Sequence, residues 1–195
     1  QSSGPAQRAS SSVLARRRHF TAVTQLTMVD VSSAPRLVIL DRDGVINQDS
    51  GEFIKSADEW LPLPGSIAAI ASLSVAGFVV AVASNQSGLT RKLFDAEALE
   101  AIHKKLCELV VTAGGYIDRI IVCPHGPNDG CECRKPKTGM LLELGNDYGV
   151  PLQNVPMVGD SLRDLQAASA AGAKPILVRT GNGSYTEKHL PPELL

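Results

Sequence analysis

Apolar residues along this chain gather in short runs of strand length rather than in long stripes. "RLVIL" (36–40), "FVVAVAS" (78–84), "RIIVC" (119–123), "PMVGD" (156–160) and "PILVRT" (175–180) are β-rich and nearly continuous. Runs that are apolar toward both faces suit strands buried between helical layers, the situation of a parallel sheet. The segments between them carry a helical period, clearest in "DAEALEAIHKKLCELVV" (95–111). There Leu99, Ile102, Leu106 and Leu109 recur at steps of three and four behind Asp95, an N-cap candidate. The alternation predicts an α/β protein with a mainly parallel five-stranded sheet covered on both faces. In that architecture the ligand crevice lies outside the carboxyl ends of the strands.

Composition narrows the reading. The chain has 195 residues, 44% hydrophobic and 20% charged, with a formal net charge of -1. That suits one domain with one filled core, and gives no reason to expect a nucleic-acid or membrane-surface partner. No apolar run reaches the ~18 residues that span a bilayer. Residues 1–29 differ: they hold no Asp or Glu, carry Arg8, Arg16, Arg17 and Arg18, and are rich in serine. This composition has something of an organellar transit peptide, but lacks a good amphipathic period. Residues 1–34 are therefore expected to be a disordered arm or an upstream extension, with Met28 as a natural start, and residues 35–195 to be the domain.

Chemistry enters at the strand ends. "VILDRDGVIN" places Asp41 and Asp43 where the first strand stops, the second ends at Ser84, the third runs into a cysteine-rich loop followed by Arg134 and Lys135, and the fourth ends at Asp160. Any one of these could simply cap the next helix. Three carboxylates, a hydroxyl and a lysine converging on one crevice are better explained by a hard, oxygen-binding cation such as Mg²⁺.

"DRDGVIN", "SNQSG", "RKPKTGM" and "GDSLRD" together resemble, in order, the four motifs of the haloacid dehalogenase superfamily of phosphotransferases, over roughly residues 35–183. The resemblance implies a Rossmann-like three-layer sandwich and a phosphohydrolase working through an aspartyl-phosphate. Asp41 would be the nucleophile and Asp43 the acid and then base. Mg²⁺ would be held by Asp41, Asp160 and the backbone carbonyl of Asp43, and Ser84 and Lys135 would cradle the phosphoryl group. Asp164 would be a direct ligand, a water-mediated one, or an orienter of Lys135.

In "CPHGPNDGCECRKP", Cys123, His125, Cys131 and Cys133 offer three thiols and an imidazole among turn-formers. The set suits a closed, structural Zn²⁺ site. A disulfide competes, but leaves the histidine unexplained and fits a cytosolic enzyme poorly. Cys107, His103 and His189 read as bland positions.

This zinc-stapled loop is similar to the branch holding sugar-bisphosphate and histidinol-phosphate phosphatases. The flanking stretches "DRDGVINQDSG" and "NQSGLTRKLF" look more like the heptose-bisphosphate side. That resemblance implies a cytoplasmic monomer acting on a small sugar phosphate, in the supply of activated heptose for lipopolysaccharide or a related glycan. Only 43 residues separate Asp41 from Ser84, leaving no room for a large cap domain. Loops 47–60, 86–94 and 124–134 are thus expected to frame the substrate. Asn47, Asp49, Asn85, Gln86 and Arg134 are its expected contacts, with Arg91 or Lys92 as further candidates for a distal anion. Histidinol phosphate, whose amine would call on Asp49, Glu52 or Asp58, is the second reading. A silent, zinc-stapled interaction module is the third.

Overall fold

The computed structural model describes residues 35–194. The expected arm, residues 1–34, lies outside them. Five parallel strands form one sheet: β1 (Arg36–Leu40), β2 (Phe78–Asn85), β3 (Arg119–Cys123), β4 (Pro156–Gly159) and β5 (Lys174–Leu177), in the order β3-β2-β1-β4-β5. Helices α1 (Ser66–Val75), α2 (Ala96–Thr112), α3 (Gly139–Tyr148), α4 (Leu162–Ala170) and the short α5 (Gly183–Lys188) alternate with or follow the strands.

The period of two along each strand sorts side chains between two cores. Val38 and Leu40 of β1, with Val80 and Val82 of β2, meet Ile70 of α1 and Ile102, Leu106 and Val110 of α2. Leu37 and Ile39, with Ala81 and Ala83, meet Met140, Leu141 and Leu144 of α3 and Ala167 and Ala168 of α4. Each Val, Leu or Ile buried this way contributes about 1.5–3 kcal/mol. The three layers are therefore those the sequence implied. α2 starts where expected, with the Asp95 carboxylate accepting from Ala98 N at 2.8 Å. One detail differs: Val110, not Leu109, completes the buried stripe, because after Leu106 the step of four faces the sheet more squarely.

β1 is the pivot of the topology. It pairs with β2 on one side and β4 on the other, so the chain reverses direction across the sheet beside the carboxyl end of β1. A crevice opens at such a point. Between β1 and β2 there is one helix and one framing loop, with no cap domain. Lys105 of α2 pins that loop by donating to the carbonyls of Ala57 (2.6 Å) and Trp60 (2.9 Å). No helix among the described residues is long and apolar enough to cross a membrane.

Candidate active site

The carboxyl ends of β1, β2 and β4 open into a cavity of about 380 Å³. Its floor is ionic. Lys135 is buried, and its Nζ lies 2.8 Å from Asp41 Oδ1, 2.7 Å from Asp164 Oδ1 and 2.7 Å from the carbonyl of Ala83. Burial works against the Lys135 charge, but Asp164 and Asp41 outweigh it and hold the ammonium above its ordinary value. Burial also penalises the Asp164 charge, and here Lys135 and the Ser161 donors win, holding that carboxyl below the usual range. Asp41 has the poorer share of the lysine: burial and the Asp164 charge push its carboxyl up to about 7.

Asp164 sits at the third position of α4 in a reciprocal cap with Ser161, and its Oδ1 meets Lys135 without a well-aligned hydrogen bond. Asp41, Asp160 and Asp164 each offer an oxygen within 4.8 Å of the others. Three carboxylates facing one ammonium leave a deficit of two positive charges, which a divalent cation would fill. Burial pushes Asp160 up as well, opposed by the backbone N–H of Asn182, which donates to its Oδ2 at 2.7 Å.

Two glycines press on Asp160. A Cβ on Gly44 (φ 80) would stand 2.1 Å from Asp160 Oδ2, and one on Gly181 (φ 54) 2.2 Å from the same atom. Gly44 also accepts at its carbonyl from Thr180 Oγ1 at 2.6 Å. Only a residue without a side chain lets the first motif and the loop after β5 both reach that carboxylate.

Asp43, three residues past the strand, belongs to a separate group. Arg42, buried, grips it through Nη2 at 3.0 Å to both oxygens and Nε at 3.1 Å to Oδ1. Gln86 Nε2 donates to Asp43 Oδ2 and to Ser84 Oγ, each at 2.8 Å, and Asn47 Nδ2 donates to Asp43 Oδ1 at 2.9 Å. Behind Arg42, His103 Nε2 lies 3.5 Å from Nη1. Burial, reinforced by the Arg42 charge, depresses His103 to about 4, so the ring is neutral.

The remaining expected residues divide. Asn85 lines the cavity and holds Lys135 by a reciprocal pair, Nδ2 to the Lys135 carbonyl (3.0 Å) and Lys135 N to Oδ1 (3.1 Å). Ser84, Gln86, Asp49 and Arg134 also line the cavity. Asn47 does not: it is fully buried and braces Asp43, so its expected place as a substrate contact is corrected to one beneath the site. All three framing loops contribute to the walls. Arg42, Phe53, Arg163 and Asn182 were not singled out by the sequence. Arg42 could be seen only as a spacer, and Asn182 lies beyond the last recognised motif. Arg163 stood inside "GDSLRD" as a signal passed over.

The loop after β3 forms the second cluster. Cys123, His125, Cys131 and Cys133 have their ligand atoms within 4.8 Å of one another, and no pair is bonded as a disulfide. The separations of Cys123 from Cys131 and from His125, 3.7 Å each, match the edges of about 3.6–3.8 Å that tetrahedral bonds to zinc would set, while Cys133 lies closer, 3.3 Å from His125 and 3.0 Å from Cys123. The donor set fits that metal. Arg134 Nη1 donates to the His125 carbonyl at 2.9 Å, which ties the mouth of the cavity to this cluster.

The chain is similar to known phosphatases. A family profile described as HAD-hydrolase-like matches residues 132–194. The D-glycero-β-D-manno-heptose-1,7-bisphosphate 7-phosphatase of Pseudomonas aeruginosa is 57% identical over 150 residues, 77% of this chain and 84% of that protein. A crystal structure of D,D-heptose 1,7-bisphosphate phosphatase from Bordetella bronchiseptica, complexed with magnesium and phosphate, superposes with a TM-score of 0.79 at 56% identity, covering 80% of this chain and 89% of that one. The corresponding enzyme of Burkholderia thailandensis gives 0.62 at 42% identity, covering 79% and 84%. Within the haloacid dehalogenase-like hydrolases, the chain belongs to the D-glycero-β-D-manno-heptose-1,7-bisphosphate 7-phosphatase family.

Proposed function

We propose that the protein hydrolyses the 7-phosphate ester of D-glycero-β-D-manno-heptose 1,7-bisphosphate. The observation that carries this is the charge layout of one cavity. Carboxylates and Lys135 form its floor, while Arg91, Arg134 and Arg163 line its walls with no carboxylate in ion-pair range of any of them among the described residues. Arg134 is held below its ordinary value, first by burial and then by Arg163 and Arg91, so the three cations lie close enough to repel. A second phosphate on the substrate relieves that repulsion, with charge-assisted hydrogen bonds worth about 10- to 100-fold each in affinity. The cationic tail of histidinol phosphate would meet the wrong sign, and of the carboxylates that could receive it only Asp49 reaches the cavity.

In this reading an Asp41 oxygen attacks phosphorus as the bond to the sugar oxygen breaks, and Asp43 gives that oxygen its proton. Water then attacks the aspartyl-phosphate, Asp43 takes the proton back, and the phosphorus–Asp41 bond breaks to release inorganic phosphate. Asn47, Arg42 and Gln86 aim Asp43, and Lys135 with Ser84 meets the equatorial oxygens. Mg²⁺, when held by Asp41, Asp160 and the Asp43 carbonyl, supplies the positive charge that lets nucleophile and phosphate approach. Cys123, His125, Cys131 and Cys133 would hold Zn²⁺, which would fix the loop carrying Arg134 and Lys135. The testing experiment compares kcat/KM for heptose 1,7-bisphosphate and histidinol phosphate with Mg²⁺ present. A large preference for the heptose is expected, and equal or reversed values reject the substrate assignment.

A further inference from the structure

Two residues with side chains near the cavity have left-handed backbone: Phe53 (φ 67), which lines it, and Lys92 (φ 56), the neighbour of the lining residue Arg91. For a bulky aromatic this conformation is an outlier that persists only where its surroundings hold it. Phe53 is not there to fill the core: it is half-buried, belongs to neither apolar cluster, and lines the cavity. Its ring meets Arg91, whose guanidinium carbon stands 5.6 Å from the ring centroid. Arg91 is exposed and adjoins Lys92, so both left-handed residues flank one contact between loops 47–60 and 86–94.

A guanidinium within about 6 Å of a ring centroid is attracted to the ring through its charge and keeps N–H groups for an anion. A free arginine gives up rotamer freedom when it binds an anion, whereas one already drawn to a ring has less to lose. We infer that Phe53 is a positioning residue. Its ring holds Arg91 at the mouth, where the guanidinium meets the substrate's distal phosphate, and so selects a sugar bisphosphate over the monophosphate. The inference rests on the sugar-bisphosphate reading above.

The test uses the intact enzyme with heptose 1,7-bisphosphate and heptose 7-phosphate. If the wild type shows equal kcat/KM for the two, the bisphosphate reading itself fails, before Phe53 is altered. With a wild-type preference established, Phe53→Leu should lower the preference ratio about fivefold, chiefly through KM for the bisphosphate, and Phe53→Tyr should restore it. Arg91→Ala should lower the ratio at least as far, and adding Phe53→Leu should then change it no further. Overturning results are an unchanged ratio in Arg91→Ala, losses that add in the double variant, or a Phe53→Leu loss equal on both substrates. Arg91 is exposed, so an unchanged ratio in Arg91→Ala overturns the inference even if Phe53→Leu does not fold; in that case Phe53→Met, which also removes the ring, takes its place in both the single and the double variant, with the same expected and overturning results.

Discussion

Arg42 and Asp43 are neighbours in the chain, yet the Arg42 guanidinium folds back to hold both oxygens of the Asp43 carboxylate, with Nη2 3.0 Å from each. A buried, permanently charged fork fixes the direction of that carboxylate far better than a lysine could. Arg42→Lys should therefore cost about 10- to 100-fold in kcat on a sugar phosphate, whose leaving oxygen needs a well-aimed proton. On an aryl phosphate the loss should be much smaller. Loss of the fork should also lower stability by about 1–3 kcal/mol in urea titration. An equal loss of kcat on both substrates would mean Arg42 does not act through Asp43.

The two proposed chemical roles separate in the same way. Asp41→Asn removes the attacking charge and should abolish turnover of every phosphate ester, with the fold intact by circular dichroism. Asp43→Asn should lose about 10²- to 10⁴-fold on the sugar phosphate. An activated leaving group should recover part of its first step, seen as a burst in rapid-quench assays. Rescue of both variants to the same extent would show that the roles are misassigned.

Two metals should respond differently to chelation. Brief EDTA treatment should stop activity, and Mg²⁺ alone should restore it, while Ca²⁺ should inhibit through its larger, looser shell. Protein purified under reducing conditions should still hold about one zinc per chain. Cys131→Ala should release that zinc, lower kcat/KM and expose residues 124–134 to protease, with the sheet unchanged in far-ultraviolet circular dichroism. Zinc-free protein with full activity would count against the role given to the loop.

His103 supplies a pH signature. Unfolded, it takes a proton at its ordinary value near 6.5, but folded it resists until about 4. The folded state thus binds fewer protons between those values, so the stability is fully present above about 6.5 and is lost as pH falls toward 4. Urea midpoints of wild type and His103→Gln should run parallel above pH ~7 and diverge below ~6, with the wild type losing more. Parallel curves throughout would place a charged His103 in the fold.

The sheet was legible because each strand announces itself twice, by a β-rich apolar run and by a functional group where the run stops. Asp41, Ser84 and Asp160 could be read as convergent for that reason, and the four zinc-site residues because their ligands lie within eleven positions of one another. Contacts that depend on a side chain's direction were not legible. Arg42 was a spacer until its burial was seen, Asn47 was expected in the cavity and lies beneath it, and His103 showed no partner because Arg42 stands 61 positions away. The surroundings of Asp164 needed the cap on α4 to be seen: its carboxylate pairs with Lys135 and also offers an oxygen within 4.8 Å of those of Asp41 and Asp160.

The hold on Asp160 has a consequence for how the protein is made. Gly44 and Thr180, whose contact closes over that carboxylate, are 136 positions apart. A ribosome delivers the first motif well over a hundred residues before the second jaw of the clasp. A nascent chain released up to residue 170 already owns Asp41, Asp160, Asp164 and Lys135, yet has neither Gly181 nor Asn182 to set the Asp160 carboxylate. The clasp on Asp160 therefore closes only after the chain has passed β5, later than all four motifs.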